Sequence, residues 1–182
     1  MDYLKPRFIR QVKKEIRVLG ISARHSRDNH GIHLVGVVYR GGLWLDGVMR
    51  AESFDLDLTE SIIKMIEGSP HHKQIRILIL SGNLIEDGLL TNLDRISSEI
   101  KRPLILLTSN ENQSTLMVQR GFTMYGLKKK SGEILGFHPI GLTKRESERV
   151  LTVSTKTDTL PEALRISELV VDAYTVYVHQ NV

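Results

Sequence analysis

Residues 57–107, DLTESIIKMIEGSPHHKQIRILILSGNLIEDGLLTNLDRISSEIKRPLILL, decide how this chain folds. The apolar runs 75–80 (IRILIL) and 103–107 (PLILL) have the length of strands buried on both faces. Between and before them the period changes to that of a helix. Asp57-Leu58-Thr59-Glu60 has the spacing of a capping box, with Asp57 as N-cap and Glu60 three positions on. Ile62, Ile63, Met65 and Ile66 then supply an apolar face, which Gly68-Ser69-Pro70 ends. Ser81-Gly82-Asn83 breaks the first run, and residues 89–100 read as a second helix with Leu89, Leu90, Leu93 and Ile96 inward. Strands separated by helices pair in parallel through right-handed crossovers.

Upstream, the pattern is of strands alone. Residues 16–21 (IRVLGI) and 33–39 (HLVGVVY) are β-branched runs separated by a polar loop, and Arg40-Gly41-Gly42 reads as a hairpin turn into a longer strand over 43–54. Asp46-Gly47 marks a bulge or a second turn in that strand. Downstream, 113–125 reads as helical and 134–140 as a short strand. Thr143 with Glu146 caps a charged helix over 143–151. A last helix is expected over 160–179, with Pro161 in its first turn. No repeat or linker divides the chain. It is expected to be one domain over 1–182, a mixed α/β sheet of about five or more strands, the first three antiparallel and then a parallel βαβαβ, flanked by helices.

The 182 residues include 41% hydrophobic and 25% charged side chains, which is globular composition. There is no Cys, so disulfide frameworks, Cys-ligated metals and thiol nucleophiles are excluded. The net charge of +4 is unevenly spread. Residues 1–50 carry ten Lys and Arg against four acids, hence +6; the other 132 carry fifteen against seventeen, hence −2. A basic arm over 1–14 and a basic first half suit a polyanion, nucleic acid first. No stretch has the length and purity of a membrane span, and the N-terminus lacks the apolar core of a signal peptide, so a cytoplasmic location is expected.

The residues carry a resemblance. IRVLGI at 16–21, LVGVVYR at 34–40, Asp46-Gly47-Val48, Asp57-Leu58-Thr59 at a helix entrance, the Gly-containing strand end at 80–82 with Asp94 beyond it, and LPEALR at 160–165 follow in the order and spacing of an archaeal family of unknown function related to endonuclease V. The similarity covers most of residues 14–178. It implies a ribonuclease H-like fold. For a nuclease of that kind it implies strand-end carboxylates holding Mg²⁺ or Mn²⁺, which activates water against a phosphodiester.

This chain departs from that pattern. Where the related proteins carry Asp at the end of the first strand, it has Ser22 and Ala23, followed by Arg24, whose charge repels a cation. Ser81-Gly82-Asn83 offers no acid at the later strand end until Glu86 and Asp87. The candidate binding residues are therefore Arg24, His25 and Arg27 after the first strand, with Ser81 and Asn83 after the fourth. Asp57 and Asp87, with Asp28 as a further possibility, are the acids left to hold a metal. His25, His30 and His33 lack the spacing of a metal site, and Lys128-Lys129-Lys130 reads as a hairpin tip. Three readings stand: a polyanion-binding domain without the usual nuclease site, a Mg²⁺- or Mn²⁺-dependent endonuclease with relocated carboxylates, and a non-catalytic scaffold for protein partners. A homo-oligomer is compatible with each.

Overall fold

The computed structural model describes residues 9, 11–28, 30–157 and 159–177. The chain enters it through three antiparallel strands, β1 (Arg17–His25), β2 (Ile32–Arg40) and β3 (Trp44–Ser53). The turn at Gly41 requires glycine. Its φ is +51°, and a Cβ there would overlap the Lys14 carbonyl. In β3 a bulge does form at Asp46: Val38 pairs with Gly47 while Tyr39 pairs with Leu45. The displaced Asp46 carboxylate accepts hydrogen bonds from Arg17 Nε and Arg40 Nε, each at 3.0 Å, and these hold it below the usual carboxylate range.

Helix α1 (Thr59–Glu67) leads to β4 (Ile77–Ser81), and α2 (Leu93–Ile100) leads to β5 (Leu104–Thr108). Both strands run parallel to β1, as the helix-separated pattern requires. Then come α3 (Glu111–Gln119), the hairpin β6 (Tyr125–Lys128) and β7 (Ile134–Ile140), α4 (Lys144–Ser154) and α5 (Glu162–Tyr177). The sheet has seven strands in the order β3-β2-β1-β4-β5-β7-β6. One face buries Leu19, Ile21, Leu78, Leu80 and Leu104 under α1 and α2; the other buries Val18, Ile77, Ile79 and Ile105 under α4 and α5. With both faces covered, β4 and β5 are buried at every position.

Four expectations are corrected. The first strand continues beyond Ile21 to His25, because Arg24 and His25 pair with His33 and Ile32 of β2; Ser22, Arg24 and His25 are strand residues. The helix expected over 89–100 starts at Leu93. Leu90 is held extended by hydrogen bonds with Leu56 and Leu58, and Asn92 Oδ1 caps the Arg95 N–H at 2.9 Å. The helix expected over 113–125 ends at Gln119, where Gly121 turns the chain at φ +90° and residues 125–128 join the sheet. The box at Asp57 does not form, because Leu58 is the N-cap of α1 and no side chain caps it. Asp57 Oδ1 accepts the Thr59 N–H at 3.0 Å, but Glu60 turns away to Arg95 at 2.6 Å. The box at Thr143 and Glu146 is complete.

Lys129 sits at the β6–β7 turn and pairs with Glu133 at 2.8 Å, as a hairpin tip would. Most of the basic arm, residues 1–8 and 10, and the end of the last expected helix, 178–179, lie outside the described residues. No described helix is long and apolar enough to cross a membrane.

Candidate functional site

Parallel neighbours β1, β4 and β5 deliver their carboxyl ends to one place, which is where open α/β sheets gather ligands. There a cleft of about 410 Å³ is lined by Ala23, Arg24 and His25 from β1, Ser81 and Asn83 from the end of β4, Glu86, Asp87 and Leu89 from the loop beyond, Ser109 and Gln113 after β5, and Glu168 from α5. A second hollow of about 430 Å³ adjoins it across His25 and Asp87 and extends to His30, Ser53, Phe54 and Leu56.

Of the residues singled out from the sequence, Arg24, His25, Ser81, Asn83 and Asp87 meet at this cleft. Arg27 does not line it; it is exposed in the turn after β1. Asp57 stands at the entrance of α1, where the bonds from Thr59 hold its carboxyl below the usual range. Asp28 accepts from the Ser26 hydroxyl and from the His30 N–H. His33 is buried in β2 with Nδ1 3.5 Å from Glu52 Oε1 and its ring edge-on to Tyr174, apart from His25 and His30. Among the described residues no three His, Asp or Glu side chains are grouped to hold a metal ion.

The sequence reading missed the contribution of α5. Glu168 accepts a hydrogen bond from Ser81 Oγ at 3.1 Å, and Asp172, one turn later, takes Arg24 Nε at 2.6 Å. Burial pushes the Glu168 carboxyl up; the Ser81 bond and the nearby Arg24 charge only partly offset it. A signal was present. Leu164, Ser167, Glu168 and Val171 recur on one side of the helix, and an acid within an otherwise buried stripe needs a polar partner.

Of positions 22 and 23, at or near which the resemblance implies a carboxylate, Ala23 lines the cleft and Ser22 is turned away from it. Ser22 Oγ lies 2.6 Å from Ser167 Oγ in the buried seam between β1 and α5, and Ser167 Oγ donates onward to the Leu164 carbonyl. On the other side of the cleft the Ala23 N–H reaches Asn83 Oδ1 at 3.4 Å. Gln113 Oε1 accepts from both the N–H and the hydroxyl of Ser109, at 2.8 and 3.0 Å. The site thus offers one guanidinium paired with Asp172, one imidazole, several amides and hydroxyls, and the acids Glu86, Asp87 and Glu168 in the same lining. That set can bind an anion through Arg24, His25 and neutral donors.

Known proteins share this architecture. A protein of unknown function from Archaeoglobus fulgidus superposes with a TM-score of 0.70 at 27% identity, over 87% of this chain and 98% of that one. Human endonuclease V superposes at 0.62 with 10% identity, over 90% and 86% of the two chains. The Ciona intestinalis enzyme, solved with DNA containing an inosine, superposes at 0.61 with 10% identity, over 90% and 87%. These two share the ribonuclease H-like fold. In sequence, the UPF0215 protein of Methanothermobacter thermautotrophicus is 30% identical over 92% of this chain and 91% of its own length. That of Methanosarcina mazei is 28% identical over 91% and 93%. The endonuclease dU pattern matches residues 14–175, and the chain belongs to that endonuclease V-related family.

Proposed function

We propose that this chain is an endonuclease V-like domain that binds nucleic acid at the strand-end cleft and through its basic N-terminal half, without the divalent-ion site of the nucleases. The observation that carries it is Arg24. Its guanidinium stands at the end of β1, 2.6 Å from Asp172 and beside Glu168, where metal-dependent chemistry needs a carboxylate. At a few ångströms from a divalent ion this guanidinium costs on the order of several kcal/mol.

The other donors fit Mg²⁺ or Mn²⁺ no better. Ser22 brings no charge and is engaged by Ser167; Glu168 resists ionisation. Asp57 and Asp87 are the ligands in the nuclease reading, yet the Asp57 carboxylate is already engaged by the Thr59 N–H. A phosphate, by contrast, is suited to Arg24, His25 and the neutral Ser81 and Asn83 side chains, with the +6 of residues 1–50 drawing the polyanion in.

Binding of a labelled oligonucleotide across a salt series tests this. Affinity is expected to fall with a log–log slope of about 0.9 for each phosphate contact, and Arg24→Ala is expected to lower that slope by about one. Binding indifferent to salt, or absent at low salt, contradicts the reading.

A further inference from the structure

The end of the sheet opposite the cleft carries four arginines in one row. Arg17 opens β1 and is the register partner of Arg40, which closes β2. The β1–β4 register, Val18 to Ile77, sets Arg76 beside Arg17, and the Arg76 N–H donates to the Arg17 carbonyl at 2.9 Å. The β4–β5 register, Leu78 to Leu104, sets Arg102 beside Arg76 in turn. Register partners project from the same face, and four strands spaced about 4.8 Å apart make a row roughly 14 Å long.

Few acids answer this charge. Among the described residues the Asp46 carboxylate pairs with both Arg17 and Arg40, and the Glu15 charge also acts on Arg40. Arg102 donates to the carbonyls of Ile75 at 2.6 Å and Lys101 at 2.8 Å, and Arg76 to that of Lys73 at 3.4 Å; among the described residues neither has a carboxylate partner. These bonds orient the guanidinium planes while leaving further N–H donors on each fork. Burial, and after it the charge of Arg76, holds the Arg102 guanidinium below its ordinary value. Lys13 shares a groove with Arg17 and Arg76, and Lys73 and Lys101 are exposed beside the row. Glu15 is the acid of that groove.

We propose that this arginine row is a second nucleic-acid contact, separate from the cleft, which grips the phosphate backbone at the amino ends of the parallel strands. Planar guanidinium forks match phosphate oxygens bidentately, and a row of this length reaches about three successive phosphates of one strand of a duplex. Contacts of this kind position the nucleic acid and read no sequence. The proposal rests on the nucleic-acid reading above and adds to it a surface that the strand-end cleft does not supply.

The test is the anisotropy of a short labelled DNA duplex titrated with the full chain over a salt series. Arg76→Gln with Arg102→Gln is expected to weaken binding roughly ten-fold at low salt and to lower the log–log slope by about two. Because Arg102 also bonds carbonyls within the fold, Lys73→Gln with Arg76→Gln is measured alongside, and both variants are first shown to melt like the parent. If either folded variant binds with unchanged affinity and slope while Arg24→Ala weakens binding, the row is refuted and the cleft stands. If the parent chain does not bind the duplex at low salt, both fail. Binding of inorganic polyphosphate, with none of the duplex, also refutes a nucleic-acid contact.

Discussion

Glu168 is a side chain whose identity matters more to this site than its place in an amphipathic helix suggests. Burial raises its carboxyl above the ordinary range, so the folded chain binds that proton more tightly than the unfolded chain does. Stability associated with this group is complete below the ordinary carboxyl range. It is lost as pH rises through the raised value. Glu168→Gln keeps the acceptor for Ser81 Oγ and removes the ionisation. It is expected to melt higher than the parent near neutral pH, with the difference disappearing in acid. Equal melting at neutral pH contradicts the burial argument. At this scale the sequence was partly legible. Set beside the resemblance, which implies a carboxylate there, Ser22, Ala23 and Arg24 show its absence by type. That Arg24 would be answered by Asp172, nearly 150 positions away, depends on a helix crossing no local pattern encodes.

Helix α5 reaches the strand ends because β1 lets it come close. Gly20 lies against the backbone of Ala163 and Leu164, and a Cβ at that position would overlap the Ala163 carbonyl. Backbone, unlike a flexible side chain, cannot yield cheaply. Gly20→Ala is therefore expected to destabilise the fold by about 1–3 kcal/mol, read as a lower denaturant midpoint at unchanged slope. An unchanged midpoint would mean that α5 does not pack on β1 at this distance. The helix–strand alternation over 57–107 was legible because its periods differ sharply and its strands are buried on both faces. In 113–125 the expected helix holds as far as Gln119 and fails beyond it. The apolar residues there suit a helix, and the change to strand follows from Gly121 and the pairing of β6 with β7, a contact made across a turn. The strand after Ile21 was likewise hidden, since Ser22–His25 is polar and is drawn into the sheet by β2.

Taken as one body, the molecule separates its charge by the ends of its sheet. Four arginines of adjacent strands stand at one end; at the other, Arg24 and His25 meet the acids Glu86, Asp87 and Glu168 around a cleft. The net +4 reveals neither arrangement. The first-half excess of positive charge was legible by counting. The row was not, because Arg17, Arg40, Arg76 and Arg102 are brought together by register. The fold is that of endonuclease V, yet the residues at the converging strand ends suit a phosphate better than a divalent ion. The most direct measurement is strand scission of a labelled oligonucleotide carrying a deaminated base, followed with and without Mn²⁺ at protein concentrations that saturate binding. Binding that weakens steeply with salt, with no scission above the metal-only control, is the predicted result. Mn²⁺-dependent scission by the parent chain that is lost in a folded Asp57→Asn variant would contradict it and make this chain a nuclease with relocated ligands.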